Sequence, residues 1–151
     1  RNEVFYTKFY LKDTFQNRIN LIFFHLSFLF NKIKQNKSDF LYKDIYQKLF
    51  DFTFKKIELN MREIGYGDVT INKNMKYLLK SFYDILLFCE KYNIKTSESK
   101  DSFFAKYLAI NNTQKMANYQ LLIKYFNEYQ TFCFDLKVNS VLKGDLDFEF
   151  K

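Results

Sequence analysis

The chain contains no proline, three glycines, one histidine and two cysteines among its 151 residues. Each scarcity excludes something. Proline breaks helix interiors, and β-rich folds consume Gly and Pro at their turns, so their shortage favours long uninterrupted helices. With a single histidine and two widely separated cysteines, a four-ligand zinc site lacks its usual donors, and no metal-ligand spacing is present. A serine hydrolase would need His25 as its base, yet His25 lies mid-helix between Phe24 and Leu26, and no G-x-S-x-G turn exists. Gly65 and Gly67 imitate the start of a dinucleotide loop, but no strand precedes them and the third glycine is missing. A Walker loop is also lacking. No catalytic set, no cofactor and no metal are therefore expected.

Two cysteines, Cys89 and Cys133, do not make a secreted disulfide framework. Both fall in apolar helical patterns, where a free thiol acts as a small hydrophobe, and a reducing compartment follows. The most apolar run, residues 19–30, is interrupted by Asn20, His25 and Ser27. It is too short to span a bilayer, which takes about 20 apolar residues, and reads as a buried core helix. No signal-peptide pattern stands at the start of the chain.

What is present is apolar bulk. Residues of apolar type make up 48% of the chain and aromatics 21%, enough to exclude a disordered tail. An AT-rich genome would enrich the same Phe, Tyr, Ile, Lys and Asn, so the aromatics alone imply no base-stacking surface. The length fits one domain spanning residues 1–151. The formal net charge of +7 suits an acidic partner (RNA, anionic lipid or an acidic protein), although solubility alone would account for it. No block of consecutive basic residues marks a nucleic-acid arm.

Periodicity divides the chain into about five to six helices. Residues 2–10 form a short first helix. Asp13 and Thr14 then offer N-cap chemistry, with Gln16 in capping-box position, before a helix running to about Lys34 that is apolar nearly all round. Residues 36–39 form a polar break. Phe50, Phe54, Ile57, Met61 and Ile64 then recur at steps of four and three, one buried helical face closed by Gly65. The turn Gly65-Tyr66-Gly67-Asp68 is followed by a helix from about Thr70, with Asp68 as its cap. Met75, Leu78, Leu79, Phe82, Ile85, Leu86 and Cys89 line its apolar side. Residues 93–101 read as a loop, 102–110 as a short helix and 111–113 as a break. The last helix carries Leu121, Leu122, Tyr125, Tyr129, Phe132 and Leu136. Residues 141–150 form a short extended tail. The fold expected is an all-α helical bundle.

Two polar features stand out. Arg18, His25 and Lys32 are spaced by seven on one stripe of the central helix, an edge that faces either solvent, a buried partner such as Glu63, or a bound molecule. Lys73, Lys76 and Lys80 follow the glycine turn at steps of three and four, with Arg62 arriving from the other side. A solvated helix face explains that spacing, as does a positive patch that steers an anionic partner.

The same residues carry a resemblance. Residues 5–91 resemble the ubiquinol–cytochrome c chaperone family through Phe5-Tyr6, Asp13-Thr14 with Arg18, Leu21-Ile22, and His25-Leu26. The most specific piece is Met61-Arg62-Glu63-Ile64-Gly65-Tyr66-Gly67-Asp68, similar to the family's R-E-hydrophobic-G-hydrophobic-G-D turn. It is followed by Lys73 and Lys76 and by the pair Phe82-Tyr83. Gly144 and Leu146-Asp147-Phe148 look like the family's C-terminal tail. Lys12 stands where the family often has proline, and Asn17 and Asp84 where it often has glycine, substitutions expected at surface positions.

The resemblance implies a non-enzymatic helper in assembly of the cytochrome bc1 complex, binding newly made cytochrome b or another subunit. Relatives act with a small partner protein near the ribosome exit and the membrane. The implied location is the cytoplasm of an alphaproteobacterium or the mitochondrial matrix, at the inner face of the membrane. The partner-binding residues it implies are Arg18, His25, Arg62, Glu63, Gly65, Tyr66, Gly67, Asp68, Lys73, Lys76, Lys80 and Tyr83. A basic helical module for RNA, the ribosome or an anionic membrane surface is the competing expectation. Such a module loses affinity steeply with salt and is indifferent to protein partner.

Overall fold

A computed structural model describes residues 3–35, 40–111, 115–136, 140, 144 and 146–150. Among them are six helices: α1 (Val4–Thr7), α2 (Phe15–Gln35), α3 (Phe40–Glu63), α4 (Asp68–Glu90), α5 (Ser97–Tyr107) and α6 (Lys115–Asp135). They form the expected all-α bundle, with no strand among the described residues. The expected break at 36–39, residues 112–113 of the break expected at 111–113, and residues 141–143 and 145 of the tail lie outside the described residues.

The all-round apolar character of α2 has a plain cause, since α2 packs on α4, α6 and α3 together. Phe23, Phe24, Phe28 and Phe30 are all buried along it. Phe82 of α4 is fully enclosed, its ring 5.3–6.0 Å from those of Phe23, Phe30, Phe50 and Phe54. Each such phenylalanine contributes about 1.5–3 kcal/mol by leaving water. Cys89 and Cys133 are buried free thiols, as expected of small hydrophobes, and burial pushes the Cys133 thiol up to about 12.

Several local expectations change. Thr14 alone caps α2, its Oγ1 accepting from Asn17 N–H at 3.2 Å, because it stands three residues before that amide. Asp13 instead accepts from Arg18 Nε at 2.7 Å, and Gln16 donates to Asn20, so no capping box forms. The first helix ends at Thr7, and Tyr10 turns the chain with φ 54° into an isolated antiparallel bridge between Leu11 and Ile110.

Residues 93–101 are not a loop throughout. A 3-10 turn over Tyr92–Ile94 leads into α5, which starts at Ser97 because Thr96 Oγ1 accepts from Ser99 N–H at 3.3 Å. That helix ends at Tyr107 rather than 110, where Leu108 becomes extended. Ile64 is 62% exposed rather than buried, since the chain has already begun its C-terminal cap there. Leu121 is exposed too, because α6 buries the neighbouring face of Leu122, Ile123, Tyr125 and Phe126. In the tail, where an extended segment was expected, residues 146–150 form neither helix nor strand, and Phe148 and Phe150 pack against Tyr125 at 5.4 and 5.2 Å.

Candidate partner-docking surface

The α3–α4 connection is a Schellman turn. Tyr66 N–H donates to Met61 O at 3.1 Å and Gly65 N–H to Arg62 O at 2.9 Å, while Gly65 takes φ +96°. A Cβ at Gly65 would meet open space, so only backbone strain opposes substitution. Gly65→Ala is expected to lose about 1–2 kcal/mol, a Tm fall of about 2–8 °C in thermal unfolding. Gly65→Asn should lose less.

Gly67 is different. Its φ of −73° and ψ of 156° suit any residue, and a Cβ there would also meet open space. Gly67 is the N-cap of α4, which begins at Asp68, two residues before the expected start. Asp68 is therefore in the first helical turn and not the cap. It accepts from Arg62 Nη1, while Arg62 Nε and Nη2 reach Glu58 at 3.2 and 2.9 Å. Arg62 thus braces the turn between two carboxylates, and its charge is largely satisfied within the protein.

Every residue from Arg62 to Thr70 is exposed. At the foot of the turn Tyr66 and Tyr77 edge a pocket of about 280 Å³ with Thr14, Gln16 and Asn74. Lys73, Lys76 and Lys80 are exposed on α4, and no carboxylate pairs with them among the described residues. At 100° per residue, Val69, Lys73, Lys76, Lys80, Tyr83 and Leu87 fall within about 40° of one line, a stripe about 27 Å long. Val69 is 85% exposed on this stripe, and Tyr83, half exposed, lies beside Phe50 and Phe82.

The other stripe does not hold together as one surface. Lys32 donates to Phe134 O at the end of α6, and Arg18 is paired with Asp13. Glu63 is exposed and is not the partner of that stripe. His25 is partly buried. Its Nδ1 lies 2.6 Å from Leu21 O and its Nε2 2.8 Å from the Tyr125 hydroxyl. A carbonyl only accepts, so Nδ1 carries the proton and Tyr125 donates to Nε2. Burial pulls the imidazole down to about 4, against the upward pull of Leu21 O. With both nitrogens engaged and the ring neutral, His25 is a positioning element. Arg18 and His25 do share a groove of about 600 Å³ with Phe5, Ile22, Leu26 and Tyr125.

Sequence reasoning missed two residues here. Asn17 and Asn20 are buried, and both hold the strand-like link after α5. Asn17 Nδ2 donates to Lys12 O and Ala109 O, its Oδ1 accepts from Ala109 N–H, and Asn20 Nδ2 donates to Tyr107 O. Asn17 is therefore no surface replacement of glycine. A polar residue recurring at i and i+3 inside an apolar run was the available signal. Asp84, the other replacement, is half-buried and accepts from the Tyr107 hydroxyl at 2.9 Å.

The described residues form an all-helical bundle that carries an exposed basic and aromatic stripe along α4. Among the described residues no group of three or more His, Cys, Asp or Glu could hold a metal ion, and no helix is long and apolar enough to cross a membrane. The model of the family described as ubiquinol-cytochrome C chaperone matches residues 7–148, and the chain belongs to that family. The family assigns it a role in biogenesis of the ubiquinol–cytochrome c complex as a chaperone, a non-enzymatic role at that level. Comparison with curated proteins and with solved structures gives no match.

Proposed function

We propose that this chaperone captures newly made cytochrome b during assembly of the bc1 complex, and that the glycine turn with the α4 stripe is its client-facing surface. One observation carries the site. Nothing in the fold requires glycine at position 67, yet that position lies bare in the middle of an exposed turn. A position without a side chain lets another backbone approach closely. Beside it stands Tyr66, and along α4 away from the turn run Lys73, Lys76 and Lys80, to draw in acidic groups, and Tyr83 as a further aromatic contact. Arg62 and Asp68 hold the turn in shape.

Two full-length variants test this. Lys73→Glu with Lys76→Glu should change stability by no more than about 0.5 kcal/mol, as exposed substitutions do. Gly67→Ser should hold or improve stability, since serine caps a helix at least as well as glycine. Both should lose co-purification of cytochrome b, the lysine pair mainly through slower capture. Normal capture and normal bc1 assembly in cells carrying only these folded variants would refute the site. Binding that collapses with moderate salt and ignores the identity of the protein partner would instead mark the basic module described above.

A further inference from the structure

A cavity of about 300 Å³ opens where the C-terminal ends of α2, α4 and α6 meet, on residues the client site does not use. Two side-chain carboxamides stand deepest in it, Asn31 of α2 and Gln130 of α6. Gln130 is 7% exposed, and its carboxamide bonds to no described residue. Asn31 is half-buried, and its Oδ1 is enclosed without a partner, so no bond keeps that amide from turning toward the cavity. Buried carboxamides in native proteins are nearly always bonded, so two together call for an occupant. Phe134 forms one wall. Its ring meets no other aromatic ring among the described residues, and its carbonyl accepts from Lys32 Nζ, which holds this end of α6 against α2. Gln35, Asn93 and the ion pair of Lys34 with Glu90 are exposed and make the rim.

We infer that Gln130, Asn31 and Phe134 form a binding site for an adenine base. The volume is about ten times the share of one water and matches a small-molecule site between helices of a bundle. With Lys34 and Glu90 paired, the rim has no net charge, which suits an uncharged ring and not a simple ion. An extended peptide is held by a row of donors and acceptors along one element, whereas these amides converge on one space from separate elements. A carboxamide sets a donor beside an acceptor, and adenine answers it with N7 and N6–H on one edge. Guanine offers two acceptors on that edge. The free face of Phe134 supplies the stacking platform that a planar base needs. The base comes either from a free nucleotide or from an unpaired adenosine of RNA. The site shares no residue with the client surface and does not depend on it.

The test is titration calorimetry of the full chain with adenosine, guanosine, uridine, AMP and a ten-residue oligoadenylate. Adenosine is expected to bind, with guanosine and uridine about tenfold weaker or more. Gln130→Leu with Asn31→Leu should abolish adenosine binding while keeping or raising the Tm, because it removes two buried amides that lack partners. Phe134→Ala should weaken binding at least about fivefold through lost stacking. The control is Gln47→Leu, which removes an exposed carboxamide on α3 and should leave binding intact. Oligoadenylate no tighter than AMP marks a free nucleotide as the source, and oligoadenylate at least about tenfold tighter marks an RNA strand. Absence of binding by both adenosine and oligoadenylate overturns the inference and leaves water as the partner of the amides. So does equal affinity for the three nucleosides, or unchanged binding in the folded Asn31/Gln130 variant.

Discussion

Replacing Asn17 by alanine is expected to remove about 3 kcal/mol of stability, seen as a Tm fall of about 6–12 °C. Asn17 lies in the first turn of α2 and is 2% exposed. Its side chain makes three bonds to backbone far away in sequence or before the helix: to Lys12 O at 2.7 Å, to Ala109 O at 2.8 Å and from Ala109 N–H at 2.9 Å. Each is worth about 1 kcal/mol net, and an unmatched partly buried peptide group costs about as much again. The bonds also hold the segment in which Lys12 N–H donates to Ala109 O and Asn111 N–H to Tyr10 O. Losing the clasp therefore loosens α1, the link after α5, and the approach of α6. Asn17→Asp separates the causes, because it keeps the acceptor and loses both donations. It should fall near the alanine variant, since a carboxylate would face two carbonyl oxygens. A loss under about 1 kcal/mol for Asn17→Ala, measured by urea unfolding, would mean that water replaces the clasp and that the link is held by Leu11 and Ile110 alone.

That clasp also shows where a sequence stops being legible. Residues on the apolar face of α4, such as Leu78, Phe82 and Ile85, declare themselves by period because their burial depends on their own helix. Gly65 declares the left-handed cap for the same local reason. Asn17 does not, because its partner Ala109 lies 92 residues away and its burial is decided by where α5 ends. Ser97-Glu98-Ser99-Lys100 reads as a polar loop, although it is the first turn of α5, whose start is set by one threonine hydroxyl. Ile64 carries the right spacing but falls where the helix is unwinding. The candidate surface divides in the same way. Its turn was legible as a motif, and its lysines as a helical stripe. That Arg62 also reaches Asp68 was not, since it requires the spacing of α3 and α4 across the turn, whereas its pair with Glu58 is an i,i+4 contact within α3. Leu87 lies off the apolar face of α4, so its exposure emerged only from the fold.

The stability of the protein should fall between pH 6.5 and pH 4, and His25 should be the cause. In the folded state burial holds its imidazole near 4, against 6.5 when the chain is unfolded. Between those values the unfolded chain binds a proton that the folded one refuses, so acid favours unfolding. Above about pH 7 both states are neutral and the contribution is constant. Below about pH 4 both are charged and the loss levels off. The full difference of about 2.5 pH units corresponds to about 3 kcal/mol, of which about 2 kcal/mol separates pH 7 from pH 4.5. The structural cost of protonation is specific: Nε2 would become a donor facing the Tyr125 hydroxyl, which now donates to it. That hydroxyl would have to rotate inside a cluster that holds Phe5 at 4.9 Å and Phe148 at 5.4 Å from the Tyr125 ring. His25→Gln offers one donor for Leu21 O and one acceptor for Tyr125 without titrating in this range. It should be close to wild type in stability at pH 4.5, having lost some packing at pH 7. The carboxylates are common to both proteins, so subtracting one pH profile from the other isolates the histidine. Parallel profiles for wild type and His25→Gln across pH 7 to 4 would show that His25 titrates normally and that its bond to Tyr125 is not what keeps it neutral.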